Sequence, residues 1–336
     1  MIYLDSAATT QSFGDYRLPD GMQFLGNPSS RTHRIGIQTR NHVERSREAL
    51  AELIGVPVGG VVFTSGASES ASILIERLSA KKELIADNKS HSCVHRYRLN
   101  SRKGGSASWF LGIAVNNETG IVEDYSAQVW DITQAVCKVD MAIWNGAKFI
   151  FGSVHKFHGP VGLGFIAAQQ IDDLELLQLQ TSHGQERGIR PGTLNSPAII
   201  QTGEVAKWML KNGDEYRAKL KHLQSTFENE IKSLTDCWII GADQERAPHI
   251  TSLNLPGVDN EALIAAVNDR LAIASGSACT SEKVEPSHVL MAMFNDREIA
   301  DTTVRISYGW FNTESEVLEA AEIIAKAAET IRSFSL

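Results

Sequence analysis

No run of this chain is apolar for the roughly 20 residues needed to cross a bilayer, which argues against a membrane-spanning protein. The opening residues, "MIYLDSAATT", have no basic region ahead of an apolar stretch, so no signal peptide is expected. Cysteine is scarce: Cys93, Cys137, Cys237 and Cys279 are scattered and never spaced as CxxC. That excludes a zinc ribbon or a disulfide framework, leaves no metal site expected, and makes a reducing, cytoplasmic setting the default. Positive charge is in deficit, with a net charge of −8. Nucleic acid and anionic membrane are therefore not the expected partners. Internal repeats and low-complexity linkers are absent, as is the long lysine-containing glycine loop of nucleotide hydrolases.

What is present is an ordinary globular composition, 43% hydrophobic and 21% charged, over 336 residues, enough for a large core and two domains. Short apolar or β-branched runs, "GVVFTSG", "ELIAD", "ASWFLGIAV", "QVWDIT", "AKFIFGS" and "VGLGFIAA", end in Gly, Asn, Asp or Ser and read as strands. "RNHVERSREALAELIG" reads as an amphipathic helix stopped at Gly55. This alternation predicts an α/β domain with a mostly parallel central sheet flanked by helices. From Ala198 to Leu234 the pattern is helical, with Leu220, Leu223, Phe227, Ile231 and Leu234 on one face. Beyond it, strand-like "HITSLNLP" and "TVRISYG" interleave with helical "NEALIAAVNDRL" and "ESEVLEAAEIIAKAAETIRSF". These predict a smaller α+β domain. The expected division is a large domain over 14–236 and a small one over 1–13 and 237–336.

Candidate chemistry sits where strands end, the place where open α/β sheets bind ligands. "TSGASES" follows a strand and opens a helix. Its exposed N–H groups, with the hydroxyls of Ser68 and Ser70, suit a phosphate, although a plain capped turn would look the same. Asp131, in "DITQ", either caps a helix or pairs with a protonated heterocyclic nitrogen. Lys156 stands between two histidines in "GSVHKFHGPVGLGF", with buried strands on either side. It is either a surface lysine at a strand end or an amine held in a cavity. A lysine that forms an imine must be partly neutral, which requires burial or a nearby positive group. Phosphate cup, acid and lysine together describe a pyridoxal 5'-phosphate site. Cys279 lies among small residues in "IASGSACTS", a setting that admits a catalytic thiol or a structural one. The other three cysteines read as structural, His33 as placing the loop before a helix, and His158 as shaping the turn after the lysine.

The set resembles the cysteine desulfurases, pyridoxal-phosphate enzymes of fold type I within the class V aminotransferase group. The matching motifs are "YLDSAATT", "GNPSSRTHRIG", "FTSGASES", "VNNETG", "DITQ", "GSVHKFHGPVGLG", "QERGIRPGT", "SGSACTS" and "TVRISYG", in the family order. The resemblance implies that Lys156 holds the cofactor and moves protons, and that Asp131 keeps the pyridine nitrogen protonated. It implies that Gln134 bonds the phenolic oxygen and that His91 stacks on the ring and shuttles protons as a catalytic residue beside Lys156 and Cys279. Ala67, Ser68, Ser153 and His155 would cradle the phosphate, with Thr193 reaching the phosphate of a neighbouring subunit in a homodimer. Asn117 and Arg305 would hold the substrate carboxylate. The implied reaction converts L-cysteine to L-alanine, with a persulfide on Cys279 passed to a sulfur-acceptor protein for iron–sulfur cluster assembly or nucleic-acid thiolation. A selenocysteine lyase or other C–S lyase, which would not need Cys279, is the alternative enzyme. A non-catalytic scaffold is the alternative of another class. The chain departs from the resemblance by being short between His91 and Asn117 and between Asn117 and Asp131, so peripheral helices are expected to be missing. Its close at "IRSFSL" leaves less tail than relatives that dock scaffold proteins, and Ser68 stands where a threonine is common.

Overall fold

The computed structural model describes residues 1–13, 17–95, 108–178, 184–276 and 285–334. Cys279 lies outside the described residues. The strands are β1 (Ile2–Tyr3), β2 (Val61–Thr64), β3 (Leu84–Ala86), β4 (Trp109–Ile113), β5 (Val129–Asp131), β6 (Phe149–Ser153), β7 (Gly164–Ala168), β8 (Trp238–Ile239), β9 (Ile250–Asn254), β10 (Leu271–Ala272), β11 (Ala274–Ser275) and β12 (Thr303–Ser307). The helices are α1 (Arg34–Ile54), α2 (Ala67–Ser79), α3 (Ser92–His95), α4 (Ser196–Leu234), α5 (Asn260–Val267), α6 (His288–Phe294), α7 (Arg297–Asp301) and α8 (Glu314–Phe334).

Six strands form the central sheet in the order β2-β7-β6-β5-β4-β3. β3 through β6 are mutually parallel, and β7 runs against both of its neighbours. Strand alternation explains why both faces are covered. Val61, Phe63, Trp130, Ile150, Phe165 and Ala167 point into one apolar layer. Val62, Val129, Phe149, Phe151, Ile166 and Ala168 point into another. Residues of α1 and α4 fill the first layer, and Ala71, Leu74, Ile75 and Leu78 of α2 fill the second.

Helix ends follow local chemistry. His33 N-caps α1: its Nδ1 accepts from Gly36 N–H at 3.1 Å, the entry-loop role expected of it. Gly55 ends α1 in the left-handed region, φ 71°, and its N–H returns to Ala51 and Glu52 carbonyls. α4 begins at the Asn195 cap with a proline in its first turn and runs for 39 residues. It packs on α1 early and on α8 late. At the α1 crossing a Cβ on Gly203 would lie 2.4 Å from Ser46 Oγ, so only glycine fits. A second, antiparallel sheet, β11-β12-β9-β8, meets α5 at β11 and α4 at β9, and α8 packs on both of those helices. The N-terminus joins this region, with β1 paired to β10 and Asp5 bridged to Ser307. No helix among the described residues is long and apolar enough to cross a membrane.

The expected shortening is visible. Between Asn117 and Asp131 there is no helix, only a turn closed by the Val115–Val122 bridge and joined onward through Ile121 to Arg246. The described residues between His91 and Asn117 hold the single turn of α3 and strand β4.

One buried ion pair stabilises the β2 edge. The Glu186 carboxylate accepts from Arg47 Nη2 at 2.7 Å, Arg47 Nη1 at 3.0 Å and Phe63 N–H at 2.6 Å. Both side chains are at most one-tenth exposed. Glu186→Ala is expected to lower stability by about 3 kcal/mol, because it leaves the buried Arg47 guanidinium only the Val61 carbonyl and the half-exposed Glu44. A denaturant midpoint with an unchanged slope would check this; a midpoint equal to that of the native sequence would refute it.

Candidate active site

The C-terminal ends of β5 and β6, the start of α2 and the middle of β12 surround one cavity of about 830 Å³. Its lining gathers most of the residues expected from the sequence: Ala67, Ser68, His91, Asn117, Asp131, Gln134, Ser153, His155, Lys156 and Arg305. Thr193 is exposed and is not among the lining residues.

Lys156 follows β6 in a short 3₁₀ turn, which carries its side chain into the cavity. Nζ donates to Ala7 O at 2.8 Å and Ala8 O at 2.5 Å. Burial and the Arg305 charge push its pKa down to about 8, against the pull of Asp5 and Asp131. More of the amine is neutral near physiological pH than at an ordinary surface lysine, and its place in the cavity lining settles the choice between a surface lysine and an amine held in a cavity. Lys138, itself buried, donates to the Lys156 carbonyl at 2.8 Å and fixes the turn's backbone.

Asp131 closes β5, and its Oδ1 accepts from Thr133 N–H at 2.9 Å. The carboxyl therefore caps a turn while also lining the cavity. Burial pushes its pKa up, partly offset by Thr133 and Lys156. A cation seated opposite it would relieve that burial cost. Gln134 is committed on two sides: Nε2 donates to Ala7 O at 2.8 Å and Oε1 pairs with His249 Nε2 at 2.9 Å. His91 Nδ1 accepts from Cys93 N–H at 3.2 Å. Burial first, then Lys156, His288 and Arg305, lower its pKa to about 4, so the imidazole is neutral.

The start of α2 presents uncapped N–H groups. Gly66 makes no side-chain capping bond, so the plain-cap alternative for "TSGASES" does not describe it. Glu69 instead folds back to accept from Ser65 N–H and pairs with Arg190 at 3.3 Å. Burial opposes its ionisation, but these two contacts hold its pKa below the ordinary value. Ser153 lies beside this helix start. His155 uses Nδ1 on Thr9 Oγ1 at 3.0 Å, leaving its other ring nitrogen for the cavity.

Arg305, on β12, pairs with Asp5 at 2.8 Å and donates to the Asn117 carbonyl at 2.9 Å. Its Nε, Asn117 Oδ1 and Thr133 Oγ1 are buried without a partner among the described residues. Polar atoms left so beside a cavity point to a polar occupant.

Several lining residues carried no assignment from the sequence: Asp5, the Ala7 and Ala8 carbonyls, Glu118, Gly276 and His288. Cys93 also lines the cavity, although its surroundings in sequence look ordinary. Asp5, Ala7, Ala8 and Glu118 do stand in the quoted motifs "YLDSAATT" and "VNNETG". Their proximity to Lys156 and Arg305 was the missing signal. His158 fills the role expected of it. It adopts φ 69°, stacks on Phe13 at 4.3 Å and bonds Gln11 O at 2.6 Å, which fixes the turn after the lysine.

An α/β sheet with a phosphate-ready helix start, a buried acid and a cavity lysine of lowered pKa defines a pyridoxal-phosphate enzyme of fold type I. The aminotransferase class-V family matches residues 2–111 and 111–319. The cysteine desulfurase IscS of Salmonella schwarzengrund is 32% identical over 99% of this chain and 94% of its own length. The cysteine desulfurase of Pongo abelii is 31% identical over 99% of this chain and 83% of its own. That alignment runs over 383 positions against 336 residues here, so the relative carries insertions that this chain lacks. In structure, a NifS-like protein from Rickettsia africae superposes with a TM-score of 0.81 at 22% identity, covering 99% of both chains. The chain belongs to the cysteine desulfurase family, whose members use pyridoxal 5'-phosphate. The uncapped helix start, the buried acid and the unpartnered polar atoms fit that cofactor.

Proposed function

We propose that the protein is a cysteine desulfurase. It converts L-cysteine to L-alanine and passes the sulfur, as a persulfide on Cys279, to an acceptor protein. Iron–sulfur cluster assembly or nucleic-acid thiolation is the use this reading assigns to that sulfur. The observation that carries it is Lys156, its pKa lowered, sharing one cavity with Asp131 and Arg305, whose wall includes Gly276, three residues before Cys279.

Pyridoxal phosphate, when bound, supplies an electron sink that acidifies the substrate α-carbon and weakens its C–S bond. The chain's residues do the rest. The α2 N–H groups, Ser68, Ser153 and His155 receive the phosphate. Asp131 holds a proton on the ring nitrogen, Gln134 meets the phenolic oxygen, and neutral His91 covers the ring. Lys156 anchors the cofactor and then, as a free amine, takes the proton from the substrate α-carbon. Arg305, with Asn117, orients the substrate carboxylate. Cys279 takes the sulfur.

Thr193, exposed in the single chain, is assigned to the phosphate site of a second copy, which makes the working form a homodimer. The chain divides into a large unit over 14–236 and a small one over 1–13 and 237–336, with α4 spanning the seam. The setting is the cytoplasm.

The test is to load the full chain with pyridoxal phosphate, add L-cysteine, and quantify alanine and protein persulfide. Alanine with matching persulfide is expected; pyruvate, or no product, overturns the reading. Within it, Arg305→Ala is expected to lower kcat/KM for L-cysteine by roughly a hundredfold, since it also strands Asp5. Arg305→Lys should recover only part of that, because an ammonium lacks the planar fork. A kcat/KM for Arg305→Ala equal to that of the native enzyme would remove Arg305 from carboxylate binding.

A further inference from the structure

The turn "VNNETG" does more than support Arg305. Asn116 Oδ1 accepts from Glu118 N–H at 2.9 Å and Thr119 N–H at 3.1 Å, while its Nδ2 donates to Lys89 O at 3.1 Å. These bonds fix the backbone from which the Glu118 side chain projects. That side chain is buried, 4% exposed, yet its carboxyl belongs to none of the roles above. Ser287 Oγ donates to Glu118 Oε2, and the same hydroxyl caps α6 by accepting from Leu290 N–H at 3.1 Å. A Cβ added to Gly276 would lie 2.8 Å from the same Oε2 and 3.7 Å from Ser287 Cβ. One carboxyl oxygen thus meets Gly276 and Ser287 where they lie side by side. These residues stand one before and three after the 277–284 segment that carries Cys279.

We propose that Glu118 is a positioning residue that holds both stems of the Cys279 segment at one point, on the turn whose Asn117 carbonyl also holds Arg305. Placement of the attacking thiol and of the substrate carboxylate would then share a single mechanical reference, the Asn116-fixed turn. The inference rests on the desulfurase reading. Burial raises the Glu118 pKa to about 7, against Ser287 and Arg305. The Ser287 contact needs an acceptor oxygen rather than a negative charge. An amide therefore substitutes for the carboxyl where a proton carrier would not allow it.

The experiment uses the cofactor-loaded full chain with Glu118→Leu, Glu118→Gln and Gly276→Ala. It follows single-turnover alanine formation and the absorbance change on adding L-cysteine. In the apoprotein it follows the iodoacetamide alkylation rate of Cys279 by peptide mass. Glu118→Leu is expected to lower alanine formation by about a hundredfold, the scale of a misplaced reacting group. It should leave the L-cysteine absorbance response in place and alter the alkylation rate. Glu118→Gln should restore most of both. Gly276→Ala, which keeps the carboxyl and presses on the stem, should reproduce the Leu phenotype even if Glu118→Leu fails to fold. If Gln loses as much as Leu, the carboxyl works as a proton carrier and the positioning role is overturned. Alkylation and turnover like those of the native sequence in both Leu and Ala variants would overturn it as well. If the unaltered protein makes no alanine, the desulfurase reading has failed, and the alkylation rates alone decide whether the stems are held at Glu118.

Discussion

Lys156→Ala is expected to reduce alanine formation from L-cysteine on the order of 10⁴-fold, the upper range for losing a positioned proton-transfer group. The proposed role puts two demands on the residue, and one environment suits both. To capture an aldehyde it must be neutral, and to move a proton it must have a pKa near working pH. Burial and Arg305 bring it down to about 8, while Asp5 and Asp131 keep it from falling further. The Ala7 and Ala8 carbonyls aim Nζ without adding charge. Lys156→Arg should fail as completely as Lys156→Ala, because an always-protonated guanidinium meets neither demand. The environment also sets a pH dependence. The reactive amine is the deprotonated form, so cofactor capture by the apoprotein should accelerate as pH rises from about 7 to 9 and then level off. Borohydride treatment of the native loaded protein should add the mass of the reduced cofactor to the peptide containing Lys156. A label on any other lysine, or full turnover in Lys156→Arg, would end this assignment.

Much of this arrangement was legible in the sequence because strand-end chemistry is local. Asp131 and Lys156 follow runs whose β-branched and aromatic content marks them as strands, and parallel neighbours bring strand ends to one edge. The Gly55 stop of α1 and the long periodic face of α4 are local in the same way. Pairings between distant segments had no such signature. The carbonyls of Ala7 and Ala8 reach Lys156 only because β1 lies beside β10 and Asp5 bridges to Ser307. Two-residue strands such as β1, β10 and β11 are too short to show a period. Gln134 looks like a free amide in sequence, yet His249, 115 residues away, engages its oxygen. Glu118 reads as one more acidic turn residue until Gly276 and Ser287 are folded onto it. Cys93 sits among unremarkable neighbours in sequence and still reaches the cavity wall, since α3 starts directly after His91.

Cys279→Ser is expected to lower alanine formation from L-cysteine on the order of 10³-fold or more, as loss of a nucleophile does elsewhere. The reaction needs a new sulfur–sulfur bond. In the proposed reaction the Cys279 thiolate would attack the substrate sulfur, the substrate C–S bond would break, and its electron pair would move into the carbon skeleton. Protonation of that skeleton then releases alanine, and the sulfane sulfur stays on the protein. A serine hydroxyl is un-ionised at neutral pH and much less nucleophilic than a thiolate. None of the earlier work depends on it: cofactor capture rests on Lys156, and carboxylate binding on Arg305 and Asn117. The variant should therefore still change the cofactor absorbance on addition of L-cysteine while accumulating neither alanine nor persulfide. This separation also discriminates between enzymes. A selenocysteine lyase or other C–S lyase expels its chalcogen without a protein thiol, so turnover in Cys279→Ser equal to that of the native enzyme would move the protein to that class. A variant that neither responds to L-cysteine nor turns over would mean that Cys279 takes part in substrate binding. Mass spectrometry of the peptide after one turnover, with and without a thiol reductant, distinguishes these results directly.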